Sequence, residues 1–185
     1  MMRAAYLAAT GFALCAIGAL SLLDIIPRVI WNASASVPIG IYALRPVDTL
    51  TVGDMVAVEP PDALERFITA RGYAGADVPL MKHIAALPEQ EVCRSGSTVT
   101  INGIEVAAAL SRDSQGRALP VWQGCRVIGA DEIFLLNTRV RDSLDSRYFG
   151  PLPARSVIGR AVPLWTDDHG QHRHDLHAAS TSPRR

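Results

Sequence analysis

Twenty consecutive residues without a charge, from Ala4 to Leu23, constrain this chain more than any other feature of it. As a helix rising about 1.5 Å per residue, such a run reaches about 30 Å, enough to cross the hydrocarbon core of a bilayer. Arg3 precedes the run and Asp24 closes it. A cleaved secretory signal is the competing reading, and Ala33-Ser34-Ala35 offers a small-residue cleavage pattern. The run is longer than the apolar region of such signals, so an uncleaved transmembrane anchor over residues 1–30 is favoured. Orientation is weakly encoded, because only Arg3 and the α-amino group stand against Arg28 across the span. What remains is about 150 residues, the size of one domain with one core.

Charge narrows the partners of that domain. Lys and Arg together number 18, as do Asp and Glu, so the electrostatic footprint of a nucleic-acid binder is missing. The basic residues are unequally divided: seventeen are arginine, and Lys82 is the sole lysine. Arginine keeps its proton at any pH near neutrality, whereas a desolvated lysine can release one. Leu80, Met81, Ile84, Ala85 and Ala86 surround Lys82 with apolar neighbours. A residual surface lysine is the plain alternative. Of three cysteines, Cys15 falls in the apolar run, and Cys93 and Cys125 belong to the exported part if the N-terminus is inside. There a disulfide and two unpaired thiols are equally open. No Cys/His spacing resembles a metal site, and no cofactor is expected.

Past the anchor the chain reads as mainly β. Short apolar, β-branched runs recur at Ile39–Leu44, Met55–Val58, Leu80–Leu87, Ile133–Leu136 and Val157–Leu164, punctuated by Gly and Pro. Asn102-Gly103, between Thr98–Ile101 and Ile104–Val106, is a hairpin signal because both residues tolerate positive φ. One short helix is expected over Ala63–Arg71, with Asp62 as its cap, Glu65 at the capping-box position and Gly72 as its stop. The domain beyond the anchor is taken as residues 31–166. Residues 167–185, with His169, His172, His174 and His177 and few apolar residues, read as a disordered tail without a fixed metal site.

A serine hydroxyl needs a base before it attacks, and the usual base is a histidine oriented by a carboxylate. Here His83 directly follows Lys82 and the other four histidines lie in the tail. A buried lysine, neutral near physiological pH, is the known substitute. Among the serines Ser36 has the most constrained surroundings, since Pro38 fixes its own φ, biases Val37 toward extended geometry, and Gly40 permits a tight path. An ordinary loop entering a strand has the same composition.

The string Ser36-Val37-Pro38-Ile39-Gly40-Ile41-Tyr42 resembles the Ser-x-Pro-x-Gly-x-Tyr nucleophile box of the TraF-type maturation peptidases of bacterial conjugation, a branch of the type I signal peptidases. Leu80-Met81-Lys82-His83-Ile84 resembles the strand bearing the family's general-base lysine. Leu87-Pro88 and Ile101-Asn102-Gly103 continue the pattern, and Asp142 to Gly150 resembles the final Asp-x-Arg-x-x-Gly box. The boxes occur in the family's order and cover the chain from the anchor to about Trp165.

By position, this resemblance implies Ser36 as nucleophile, Lys82 as general base and the Ser34 hydroxyl as an oxyanion donor beside the Ser36 amide. It further implies Ser143 as the group that orients the lysine, and Asp145 with Arg147 as a supporting ion pair. Val37, His83 and Leu136-Asn137-Thr138 depart from the general signal peptidases and favour the TraF branch, as does Arg66 to Met81 with its Arg71-Gly72-Tyr73. The implied protein is a serine endopeptidase with a signal-peptidase-like β-rich domain facing the periplasm from the inner membrane, acting on a membrane-inserted precursor, the pilin. A general signal peptidase and a non-catalytic, membrane-tethered scaffold of a secretion apparatus are the alternatives; a soluble periplasmic form follows if the N-terminus is a cleaved signal.

Overall fold

The computed structural model of the chain describes Tyr6, residues 9–15, Gly18 and residues 29–167. Tyr6, 9–15 and Gly18 are helical and exposed. The expected anchor thus falls mostly outside the described residues, among which no helix is long and apolar enough to cross a membrane. Of the expected tail, 168–185 lie outside the described residues. Asp167, which the sequence assigned to that tail, instead ends a strand and is paired with Ile39.

The mainly β expectation holds. The strands are β1 (Val29–Asn32), β2 (Ile39–Arg45), β3 (Met55–Val58), β4 (Leu80–Ala86), β5 (Glu91–Ser95), β6 (Thr98–Ile101), β7 (Ile104–Ala108), β8 (Gly124–Val127), β9 (Glu132–Leu136), β10 (Leu152–Pro153) and β11 (Val157–Asp167). They form a seven-stranded sheet, ordered β1-β2-β11-β3-β4-β9-β10, and a four-stranded sheet, ordered β7-β6-β5-β8. Their pairings are antiparallel. The β6–β7 hairpin turns at Asn102 and Gly103, with φ of 49° and 79°, the positive values its Asn-Gly pair foretold.

The helix spans Asp62–Ala70, not Ala63–Arg71. Pro61 stands at its N-cap and no side chain caps it, so the expected Asp62 cap and capping box do not form. Pro61 lacks the N–H a box would satisfy, and Glu65 instead accepts from the Asp77 amide at 2.8 Å. Leu64 and Ile68, four residues apart on one face, press onto Val56, Val58, Ile84, Ile133 and Leu135 of the large sheet. Each such aliphatic burial contributes about 1.5–3 kcal/mol. On the other side Val92, Val99 and Ile101 of the small sheet cluster with Phe134 and Leu136 of β9. Cys93 and Cys125 face one another across β5 and β8 and are bonded, which settles the alternative left open by sequence.

Candidate active site

Ser36 lies in the loop of residues 33–38 that joins β1 to β2, a loop whose base is the pair Asn32 and Gly40. A Cβ at Gly40 would lie 2.1 Å from the Trp165 carbonyl oxygen, so only glycine lets β11 approach here. Val37 is buried against Tyr42, Leu44 and Met81, and the Tyr42 hydroxyl donates to the Pro38 carbonyl at 2.6 Å. These contacts hold the loop against the sheet and leave Ser36 half-buried and Ser34 exposed at a cleft. The two hydroxyl oxygens are 3.0 Å apart. Ser34 Oγ also donates to Asn32 Oδ1 at 2.8 Å.

Lys82 comes from the middle of β4, flanked by β3 and β9, and is 4% exposed. Its Nζ donates to Ser143 Oγ at 3.0 Å. Burial lowers its pKa from 10.5 to about 8, an effect larger than the upward pull of the Asp145 carboxylate and the downward push of Arg147. The side-chain amide of Asn137 grips the strand on both sides of the lysine: Nδ2 donates to the Met81 carbonyl at 3.2 Å and Oδ1 accepts from the His83 amide at 3.3 Å. Oδ1 also meets His83 Nδ1 at 3.1 Å.

Asp145 and Arg147 form a buried, bidentate pair, with Nε to Oδ1 at 2.8 Å and Nη2 to Oδ2 at 3.0 Å. Arg147 donates further to the carbonyls of Asn137 at 3.1 Å and Arg141 at 2.9 Å, while Asp145 Oδ2 accepts from the Asn137 amide at 3.0 Å. The pair thereby fixes the segment that carries Ser143. Arg94 of the small sheet donates to the Arg147 carbonyl at 2.6 Å, joining both sheets at this point.

A cleft of about 660 Å³ brings Ser34, Ser36, Lys82 and Ser143 to one wall-lined space, together with Ile30, Tyr73 and Leu144. No hydrogen bond joins Ser36 to Lys82 among the described residues. A second cleft of about 470 Å³ lies across Ser36, bordered by Val52, His83, Asn137 and Arg139. Asp145 and Arg147 line neither. A half-buried hydroxyl and a buried amine of lowered pKa that line one largely apolar cleft are the groups that acyl transfer through a serine and a lysine base would need.

Two residues that shape the site went unread in the sequence. Asn32 and Asn137 each bind backbone on both sides of a key side chain, and the detectable signal was an Asx-type turn residue at the end of a strand.

The chain is 35% identical to a conjugal transfer protein TraF of Agrobacterium fabrum over 74% of its own length and 82% of that protein. It is 34% identical to a probable conjugal transfer protein TraF of Sinorhizobium fredii over 73% of its length and 76% of that protein. A crystal structure of a signal peptidase I from Enterococcus faecalis aligns over 62% of this chain and 98% of that one, with 21% identity and a TM-score of 0.37. The family model described as signal peptidase, peptidase S26, matches residues 3–165. On that match and on the TraF relatives, this chain belongs to the S26 signal peptidase family.

Proposed function

We propose that this chain is a membrane-anchored serine endopeptidase whose nucleophile is Ser36 and whose general base is Lys82, and that it matures the pilin precursor of a conjugative transfer system. The observation that carries the reading is the buried Lys82 amine, lowered to about 8 by desolvation and held by Ser143 on the wall of the cleft that also exposes Ser36. At a pKa near 8 a useful fraction of the amine is neutral at physiological pH, which a surface lysine would not offer.

In the reaction the neutral amine takes the Ser36 proton as Oγ bonds to the scissile carbonyl carbon. The ammonium then returns that proton to the leaving nitrogen as the C–N bond breaks, and water hydrolyses the Ser36 ester with Lys82 again as base. The Ser36 amide and the Ser34 hydroxyl would meet the developing oxyanion. Similarity to two conjugal transfer proteins supports a precursor of a conjugative system over general preproteins as substrate, and the resemblance of the boxes to TraF-type maturation peptidases points to its pilin. An anchor at residues 4–23 fits the short connection to β1, where Trp31 and Trp165 stack at 6.1 Å with both rings exposed. Such aromatics suit a headgroup boundary, which would set the cleft close to the bilayer and to membrane-inserted substrates.

The test is precursor processing by full-length protein in membranes, read by mass. Ser36→Ala and Lys82→Arg should both abolish cleavage while thermal unfolding stays cooperative, since arginine keeps the charge but cannot act as a base. Substantial cleavage by Lys82→Arg would overturn the dyad, and cleavage of general preproteins with the pilin precursor left intact would overturn the substrate.

A further inference from the structure

Asn32 is 7% exposed, and its side chain makes more hydrogen bonds than a strand-end residue needs. Nδ2 reaches the carbonyls of Ser34 at 2.8 Å, Val37 at 3.1 Å and Pro38 at 3.0 Å. Oδ1 accepts from the Ser34 amide at 3.1 Å and from the Ser34 hydroxyl at 2.8 Å. The orientation of the amide is fixed by its partners, because carbonyl oxygens only accept and a backbone N–H only donates. One side chain therefore ties the beginning of the nucleophile loop to its end. Its backbone is itself held by the ladder opposite Gly40.

A directional consequence follows for the two serines. A hydroxyl has one proton, and Ser34 directs its proton to Asn32 Oδ1, so the contact of 3.0 Å between the serines has Ser36 as donor and Ser34 as acceptor. The hydrogen-bond chain thus runs Ser36 to Ser34 to Asn32. We infer that Asn32 is the positioning residue of the nucleophile loop, shaping its turn and storing the Ser34 proton until a substrate oxyanion claims it.

This inference rests on the proposed dyad. When Lys82 takes the Ser36 proton, Ser34 no longer receives it, and the Ser34 hydroxyl is free to rotate from Asn32 toward the new oxyanion. One O–H···O bond breaks and one forms. The rotation leaves Asn32 Oδ1 satisfied, because the Ser34 amide still donates to it. The Ser34 donor is thus delivered at the moment negative charge develops, which favours the transition state over the bound substrate.

The experiment uses full-length protein in detergent and a fluorogenic peptide spanning the cleavage site of a conjugative pilin precursor. Asn32→Leu removes both halves of the amide and should lower kcat about a hundredfold, the scale of a roughly 1 Å misplacement, with KM changed by less than about twofold. A residue that merely stabilised the fold would lower Tm and the active fraction, and with kcat referred to active sites counted by titration with an acylating inhibitor its loss would disappear.

The decisive measurement is a double-mutant cycle with Ser34→Ala. If Asn32 acts through Ser34, the combined variant should lose much less kcat than the product of the two single losses. Multiplicative losses, or wild-type kcat in Asn32→Leu, overturn the inference. Should Asn32→Leu not fold, the same cycle run with the isosteric Asn32→Asp decides between coupled and multiplicative losses. Lys82→Met serves as the control for the underlying reading. A dead Lys82→Met beside an unaffected Asn32→Leu overturns the positioning role alone, whereas cleavage by Lys82→Met overturns the dyad and this inference with it.

Discussion

Replacing Lys82 by methionine should make the protein more stable and inactive, and the gain in stability should vanish at high pH. The side chains are close in length and flexibility, so the exchange chiefly removes a buried charge. In the folded protein the lysine is lowered from 10.5 to about 8. Below about 8 the ammonium is present in both folded and unfolded chains, and its burial costs the folded state in full. Between 8 and 10.5 the folded chain has released the proton while the unfolded chain still holds it, so the wild type gains stability as pH rises; above 10.5 the penalty is gone. At about 1.4 kcal/mol for each tenfold change in proton affinity, the penalty is about 3 kcal/mol. Loss of the Ser143 hydrogen bond offsets the variant's gain by about 1 kcal/mol at every pH. The pH-dependent part is therefore the cleaner quantity. Thermal unfolding of both proteins from pH 6 to pH 10.5 should show a difference in Tm that shrinks by about 10 °C across the range. Other titrating groups are common to both proteins and cancel in that difference. A difference that stays constant with pH would refute a desolvated lysine, and with it the physical basis for a base at this position.

Three further outcomes can be checked with the same preparations. The wild-type cleavage rate should rise with pH through about 8, the value to which burial lowers Lys82, and a flat profile with chemistry rate-limiting would count against that base. Ser34→Ala should lower kcat about a hundredfold to a thousandfold with KM nearly unchanged, while Ser34→Thr, which keeps the hydroxyl, is milder. Changing both Cys93 and Cys125 to serine opens a loop of sequence separation 32 and should cost about 3–4 kcal/mol, read by denaturant unfolding under matched redox conditions.

Local signals and composition carried much of the fold. Asn102-Gly103 located a hairpin because two consecutive residues need positive φ, and the apolar run around Lys82 located a largely buried strand because, Lys82 and His83 apart, its residues are aliphatic. The runs at Ile39 and Met55 became strands for the same reason, whereas the strand begun at Val157 is buried only in its first half and is exposed from Val162 to Trp165. What stayed hidden depends on partners distant in sequence. β8, Gly124–Val127, is exposed at each residue and carries no apolar alternation; its disulfide partner and β5 make it a strand. The helix cap failed because the sequence does not show that Pro61 begins the turn. Lys82 and Ser36 stood out by composition and local constraint and gained their roles from a motif resemblance, Ser34 and Ser143 came from that resemblance alone, and the parts played by Asn32 and Asn137 required coordinates, since an asparagine's value lies in which backbone atoms surround it. Asp145 and Arg147, two residues apart, were legible as a pair but not as the clamp on the Asn137 segment.

The close pass of β11 over Gly40 changes what the nucleophile box means as a recognition pattern. The glycine answers to the Trp165 carbonyl behind it, and the tyrosine answers to the Pro38 carbonyl, so both are demanded by the backbone and neither by the reaction. A descendant that lost its serine would remain under pressure to keep the glycine and the tyrosine. Searches that weight those two positions would therefore collect inactive chains along with active ones. The pair Ser34 and Ser36, whose hydroxyl oxygens meet at 3.0 Å, has no such architectural reason to persist together and is the better discriminator of living enzymes from their retired relatives; Asn32, which holds the loop's backbone, would persist with the glycine and the tyrosine.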